Sequence, residues 1–172
     1  MKFIEELIPI QYLSTVKGYV KINMIDEAIR LLQWLTGQGY KKAHYLISLL
    51  HVYLFCRDKD LALLNRALLD ARNFVTAYPE IGEGWWLLGE VLLLESFFCN
   101  EQERENFCRE SQETLHYAAL LLKEEKKTKD FLRCKSSLDL LEQIKPQEST
   151  ASQQFDILST NNLALECRHF FI

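Results

Sequence analysis

Apolar side chains recur every three to four residues along most of this chain, which is the period of an α-helix with one buried face. The first such stripe runs through Phe3, Leu7, Ile10, Leu13 and Val16–Lys17. Pro9 either starts this helix or kinks it. The run "HYLISLLHVYLFC" is rich enough in aromatic and β-branched residues for a strand, but its apolar character continues for about four helical turns. The pattern predicts an all-α protein.

Seven helices are predicted before Pro146. The second, "IDEAIRLLQWL", takes Asp26 as its N-cap and ends before Gly37 and Gly39. Two nearly saturated apolar helices follow, "KKAHYLISLLHVYLFC" and "LALLNRALLDARNFVTAY", and Pro79 closes the second of them. The next pair is "EGWWLLGEVLLLESFF" and "FCRESQETLHYAALLLKEEKK", joined by a predicted polar connector, "CNEQEREN". The seventh helix is "DFLRCKSSLDLLEQI".

The composition changes after Pro146. The stretch "QESTASQQ" is small and polar, as linkers are, and "FDILSTNNLALECRHFFI" is apolar enough to dock as a short helix or an extended strap. A flexible tail is an equal alternative. We therefore expect a helical domain over residues 1–146, followed by a polar linker and an apolar C-terminal tail over residues 147–172.

Successive helices also share a spacing that resembles tetratricopeptide repeats. That repeat places W-x2-L-G-x2-Y in its first helix and small residues in its second. The matching positions are Trp85, Leu88, Gly89 and Leu92; Ser111, Leu115 and Ala118; Ala67, Ala71, Phe74 and Pro79; and, in the first pair, Tyr12, Tyr19, Ala28, Leu32 and Leu35. The small anchor positions 28, 67 and 111 lie further apart than the roughly 34 residues of regular repeats. We expect antiparallel helix pairs stacked as a short, irregular tetratricopeptide-like solenoid with an extra C-terminal helix.

This register separates the two adjacent tryptophans. Trp85 falls where the helices of a pair meet, so it is predicted to lie in the core, whereas Trp86 is rotated about 100° around the helix. Carrying that offset through the units places six residues in a concave apolar groove, a type of surface that binds an amphipathic helix. They are Leu13, Leu49, Val52, Trp86, Leu93 and Phe97. The alternative is that these side chains complete a globular core, covered by the chain's own last helices.

Charge and cysteine content narrow the function further. The 172 residues carry a formal net charge of −4, with a pI near 5.6, so we expect neither nucleic acid nor a membrane surface as a partner. The five cysteines form no CxxC pair and no signal peptide is evident, which is typical of reduced thiols in the cytoplasm. The longest apolar runs are too short or too interrupted for a membrane span.

No catalytic or metal-binding motif stands out. His44 and His51 lie seven positions apart on one predicted helix, about 10 Å along its axis, which is too far for one metal ion. The sequence lacks HExxH, GxSxG, a phosphate loop and a dinucleotide fingerprint. We expect a protein with no enzymatic activity and no cofactor.

One block of the chain resembles the tetratricopeptide-like chaperones of type III secretion needle subunits. The similarity spans residues 27–86. It is carried by Glu27–Ala28, Trp34–Leu35, Gly39, Ala43, Leu46–Ile47, Leu49, Arg57–Asp58, Ala62–Leu63, the "AYPE" of residues 77–80, and Trp86–Leu87. The block covers about a third of the chain well, and the segment from Phe131 onward has no counterpart in that family.

The resemblance implies a non-enzymatic cytoplasmic chaperone that keeps a needle subunit from polymerising before secretion. The subunit's C-terminal amphipathic helix would bind in the concave groove. A small helical co-chaperone would pack on the first helix pair, around Ile10, Leu13 and Lys17, giving a heterotrimer. A related alternative is a chaperone of a translocator or effector, and a more general one is a tetratricopeptide-like scaffold for some other helical or extended partner. The additional C-terminal segment implies either a different client or a lid over the groove.

Overall fold

The computed structural model describes residues 8–40, 43–143 and 161–171. All regular structure in these ranges is helical, so the all-α prediction is confirmed for them. Eight helices follow one another there: α1 (Ile10–Lys21), α2 (Ile25–Gly37), α3 (Ala43–Asp58), α4 (Leu61–Ala77), α5 (Gly82–Phe98), α6 (Glu101–Glu124), α7 (Thr128–Gln143) and α8 (Asn162–Phe171). The predicted linker, residues 147–154, lies outside the described ranges.

Local capping explains where several helices begin. Pro9 stands at the N-cap of α1, so it starts the described helix instead of kinking it. Asp60 caps α4 by accepting the Ala62 amide at 2.9 Å. The prediction that Asp26 caps α2 is wrong: Met24 occupies that position without a side-chain hydrogen bond, and Asp26 lies in the first turn. An acidic residue there still complements the helix dipole.

The predicted connector "CNEQEREN" is mostly helix. Asn100 accepts the Glu103 amide at 3.0 Å as the N-cap of α6, and Glu101 and Glu103 lie in the favourable first turn. Arg104 further ties this turn to α5 by donating to the Ser96 carbonyl at 3.2 Å. The helix α6 therefore runs for 24 residues, and only Cys99 and Asn100 separate it from α5. Polar composition concealed this start because the added turns are exposed.

Consecutive helices pack against one another through short connections, from α1 to α7. The contacts between α3 and α4 run in opposite chain directions: Tyr45 lies against Phe74, and Ser48 donates to the Ala67 carbonyl at 2.8 Å. The helices α3 and α5 also touch, as do α5 and α7. The helices α3 and α4 are thus antiparallel, and α5 lies beside both α3 and α7.

The helix α5 forms the centre of the core. Fifteen of its seventeen residues are buried, so no polar face is left for solvent. Its glycines allow the close approach predicted from the sequence: a Cβ on Gly89 would stand 2.6 Å from Leu115 Cγ, and one on Gly84 would stand 2.5 Å from the Phe74 ring. Ser111 of α6 crosses the same gap and donates to the Gly89 carbonyl at 2.7 Å. The position of α5 is therefore fixed from several sides.

Candidate helix-binding site

The helix α8 packs on three helices that alternate along the chain, α1, α3 and α5. We call the surface beneath α8 the docking face. The side chains and backbone atoms that bond to α8 there come from Lys17, Leu49, Tyr53 and Glu90, with Arg133 and Ser137 of α7 at the edge. A helix lying across alternate helices of this type resembles a helical peptide bound in a groove.

The sequence of α8 is amphipathic, and its apolar side faces the protein. Its buried apolar residues follow the i, i+1, i+4, i+7, i+8 spacing of one helical face. They are Leu163, Ala164, Cys167, Phe170 and Phe171. His169, on the opposite side, is exposed. Of the three alternatives for the apolar segment after residue 154, the described residues 161–171 show the docked short helix.

Aromatic and thiol contacts fix the C-terminal half of α8. The Lys17 ammonium lies 4.1 Å from the centre of the Phe170 ring, within the range of a cation–π interaction. The Tyr53 and Phe171 rings lie 5.3 Å apart. On the same helix, the Cys167 thiol donates to the Leu49 carbonyl at 3.4 Å. One contact from α1 and two from α3 therefore meet the same two turns of α8.

A buried carboxylate fixes the N-terminal end of α8. Asn161 caps this helix by accepting the Ala164 amide at 3.0 Å, and its own amide donates to Glu90 at 3.2 Å. The Ser137 hydroxyl donates a short hydrogen bond to the other oxygen of Glu90 and accepts from Asn162 at 3.3 Å. Three helices, α5, α7 and α8, thus meet at one acidic side chain.

Burial dominates the electrostatics of Glu90. Loss of water raises the pKa of this carboxyl from 4.5 to about 7, although the hydrogen bonds from Ser137 and Asn161 pull it down. The negative charge of Glu166 on α8 adds to the increase. The carboxyl therefore changes its protonation close to neutral pH.

Arg133 connects α7 to both α5 and α8. Its guanidinium donates to Glu166 at 2.9 Å and lies 3.3 Å from Asp130, and it also lies 5.7 Å from the centre of the Trp86 ring. Glu166 is almost fully buried while Arg133 is half-buried, so this ion pair is partly shielded from solvent. The buried carboxylate of α8 thereby has a charged partner on the docking face.

All six predicted groove residues are buried in the chain by itself. Leu13, Leu49, Val52, Trp86, Leu93 and Phe97 are between 0% and 7% exposed. The expectation of an open groove is not what the structure shows, because none of these side chains is exposed. The arrangement instead matches the alternative that the chain's own last helices cover these positions. Leu49 meets α8 directly through its carbonyl, and Trp86 meets Arg133.

The predicted burial of the two tryptophans is wrong. Trp86 is 2% exposed, and its indole nitrogen finds no hydrogen-bond partner among the described residues. Trp85 is only half-buried: its ring packs edge-on against Tyr117 at 4.9 Å, and its N–H donates to the Pro79 carbonyl at 2.8 Å. Trp85 does lie between the helices of a pair, as predicted, but at their outer side. Trp86 is the more buried of the two, and Arg133 of α7 lies near its ring.

The three residues predicted to contact a co-chaperone have different environments. Ile10 is 63% exposed, Leu13 is buried, and Lys17 already contacts Phe170. Near Ile10 in sequence, Tyr12 packs against Trp34 and Tyr40, both of which are well exposed. A role of Ile10, Leu13 and Lys17 in binding a second protein stays a prediction.

The polar residues of the site were missed from the sequence. Glu90 lies four residues after Trp86 and three before Leu93, so it shares their helix face. A single acid within the apolar run "WWLLGEVLLL" was the available signal, because a buried carboxylate needs polar partners. Its partners Ser137 and Asn161 lie 47 and 71 residues away, and no local pattern connects them to it.

His44 and His51 lie about two turns apart on α3, yet both are close to the same carboxylate. His51 Nδ1 lies 3.0 Å from one oxygen of Asp70, and His44 Nδ1 lies 3.7 Å from the other. Both rings of α3 thus converge on one carboxylate of α4. Over the described ranges, no three histidine, cysteine or acidic side chains are grouped so that they could hold a metal ion.

None of the helices in residues 8–40, 43–143 and 161–171 combines the length and the apolar character needed to cross a bilayer. Compared with protein-family models, curated proteins and solved structures, the chain matches none of them.

Proposed function

We propose that this protein binds an amphipathic helix of a partner protein on the docking face. The observation that carries the proposal is α8 itself, which buries five apolar side chains there while His169 on its opposite side is exposed. A surface that accepts one amphipathic helix of ten residues has the apolar area and the polar end contacts that another such helix needs. The proposal assigns the protein no catalytic step and no cofactor.

A tetratricopeptide-like stacking of helix pairs is part of this proposal. In such a stack the first helix of every pair lines one side, and α1, α3 and α5 are those helices here. Their common contact with α8 supports this arrangement, as do the side-by-side packing of α3 with α5 and of α5 with α7. Buried small residues at the anchor positions Ala28, Ala67 and Ser111 support it too.

The partner that the resemblance over residues 27–86 favours is the needle subunit of a type III secretion system. The protein would then act in the cytoplasm, holding the subunit's C-terminal amphipathic helix, while a small helical co-chaperone packs on the first helix pair. A fibre-forming subunit cannot extend a polymer while its self-association helix is buried on the docking face of the chaperone. The exposed side chains of Ile10 and Trp34 offer apolar surface for the second protein.

Co-expression with a candidate needle subunit and co-chaperone tests this function. We expect a soluble complex of defined stoichiometry, measured by light scattering after purification. Arg133→Glu should weaken it, because Arg133 faces the occupant of the docking face. Arg72→Glu is the matched control, since Arg72 pairs with Glu110 between α4 and α6, away from α8. A chain that captures no subunit, or one for which both variants behave alike, contradicts the proposal. A complex with another helical protein but not with the subunit removes only the choice of client.

A further inference from the structure

We propose that α8 is a resident occupant of the docking face that leaves when a partner helix binds, and that this partner repeats the binding pattern of α8. The inference rests on the proposed function, because it names what the partner helix must look like and what it must displace. It concerns the contacts of residues 161–171 and of the face beneath them.

The first argument is that α8 makes the contacts of a ligand. Its buried side chains are interrupted by one acid, Glu166, which faces Arg133 at 2.9 Å. Its N-terminal cap, Asn161, meets Glu90, and its last turn meets Lys17 and Tyr53. Each of these four partners lies more than thirty positions in sequence from the α8 residue that it contacts. The contacts therefore depend on a bound helix and not on chain connectivity.

The second argument is that the contacts are suited to exchange. A ten-residue helix is marginal in water by itself, so α8 depends on the docking face for its helical form. Glu90 bonds to the amide of Asn161, and Arg133 bonds to the carboxylate of Glu166. A competing helix can supply an amide and a carboxylate at the same two positions. The helices α3 to α6 also pack consecutively on one another, in addition to the apolar residues that α8 adds to the same core.

The pattern of α8 defines the chemistry of the partner. Counting from Leu163 as position i, the partner should present apolar side chains at i, i+1, i+4, i+7 and i+8, with aromatic residues at the last two. A carboxylate at i+3 should face Arg133, and an amide at the N-cap should face Glu90. A helix with a basic residue at i+3 should be excluded, because it would meet the Arg133 guanidinium.

The test uses the intact protein and a synthetic peptide of residues 161–171 with Cys167→Ser, so that the peptide carries no thiol. The readout is alkylation of the protein's own Cys167, which lies on the inner side of α8, fully buried and in contact with the Leu49 carbonyl. At saturating peptide we expect alkylation of Cys167 to accelerate by about tenfold or more, because the tethered helix is then displaced. Cys108, on α6 and partly exposed, serves as the internal control and should react at an unchanged rate.

Variants sharpen the assay. Phe170→Ala in the tethered helix should raise the apparent affinity of the labelled peptide by roughly tenfold, since a weaker competitor leaves the face open more often. His169→Ala is the matched control, because His169 is exposed, and it should change nothing. Arg133→Glu weakens the tethered helix and the unchanged peptide alike, so a peptide with Glu166→Arg should bind that variant more tightly than the unchanged peptide does. Far-UV circular dichroism checks that each variant keeps its helices.

The outcomes separate this inference from the proposed function. Binding of the peptide without faster alkylation of Cys167, or no peptide binding to any folded variant, would show α8 to be a fixed part of the core. A doubled mass in light scattering would mean that α8 docks on a second copy, which also overturns the inference. If a needle subunit binds while Cys167 stays protected, the exchange and the docking face as the binding site are both refuted, and only the choice of client stands. If the peptide exchanges and no subunit binds, the choice of client is refuted alone.

Discussion

Replacing Glu90 with glutamine tests the electrostatics of the site most directly. The amide has the shape of the carboxyl and can satisfy the same partners: its oxygen can accept from Asn161, and its nitrogen can donate to Ser137. The Ser137 hydroxyl can then turn to the Arg133 carbonyl, which lies 3.2 Å away. Glu90→Gln therefore removes a titrating group without leaving a buried donor or acceptor alone.

The expected magnitude follows from linkage. Between the ordinary pKa of 4.5 and the folded pKa of about 7, the native protein binds more protons at Glu90 than the unfolded chain does. The free energy of unfolding therefore falls as the pH rises through this window, and the loss is complete above pH 7. At about 1.4 kcal/mol per pH unit, the full effect is on the order of 3 kcal/mol. Ser137, Asn161, Glu166 and Cys134 are the polar or titratable groups facing this carboxyl.

Urea unfolding at pH 5 and pH 8, followed by circular dichroism, measures the effect. We expect the glutamine variant to match the natural protein near pH 5 and to exceed its stability at pH 8 by up to about 3 kcal/mol. Glu95, whose pKa burial also raises to about 7, titrates in both proteins and cancels in the difference. Glu113→Gln, at an exposed site on α6, should change neither value. Parallel curves would refute the buried-acid argument, and a variant less stable at pH 8 would show that the α8 N-terminus holds the carboxylate charged.

Three further predictions concern the packing that positions the site. Gly89→Ala should destabilise the fold by about 1–2 kcal/mol in thermal melts, because the clash of the new Cβ with Leu115 costs more than the gain in helix propensity. A Cβ on Gly18 meets no atom within 4 Å, so Gly18→Ala should stabilise the fold by up to about 1 kcal/mol. Trp86→Ala should cost about 3–5 kcal/mol in urea unfolding, and Trp85→Ala clearly less because its ring is half-buried; equal costs would contradict the observed register. Asn100→Ala should cost about 1 kcal/mol by removing the cap of α6, and the exposed Gln112→Ala should be neutral; a neutral Asn100→Ala would contradict the cap.

The sequence predicted the helices well because apolar periodicity reports which face of a segment is buried. It placed α3, α4 and α5 close to their observed bounds and identified Gly89 as a point of close approach. It could not place α8, because apolar character shows that a segment will be buried but not against which surface. The order of burial in Trp85–Trp86 failed for the same reason: only the tertiary arrangement of α7 determines which ring is covered.

The start of α6 and the polar part of the site show a second limit. Asn100 was a recognisable cap, but the six polar residues after it read as a loop because solvent-facing helix turns and loops share one composition. Glu90, Ser137 and Asn161 are individually unremarkable polar residues on three separate helices. Their significance comes from convergence over long sequence distances, which a single sequence does not report.

Under the proposed function, the burial of α5 on all sides has a consequence for how a preference for one partner could change. Its residues serve the core and the docking face at once, so almost any substitution there alters stability together with binding. Lys17, Tyr53 and Arg133 contact α8 from half-buried positions, so substitutions there should alter the contact with α8 with less effect on the stability of the core. Divergence in partner choice, whether natural or engineered, should therefore accumulate at these three peripheral positions while α5 stays nearly constant.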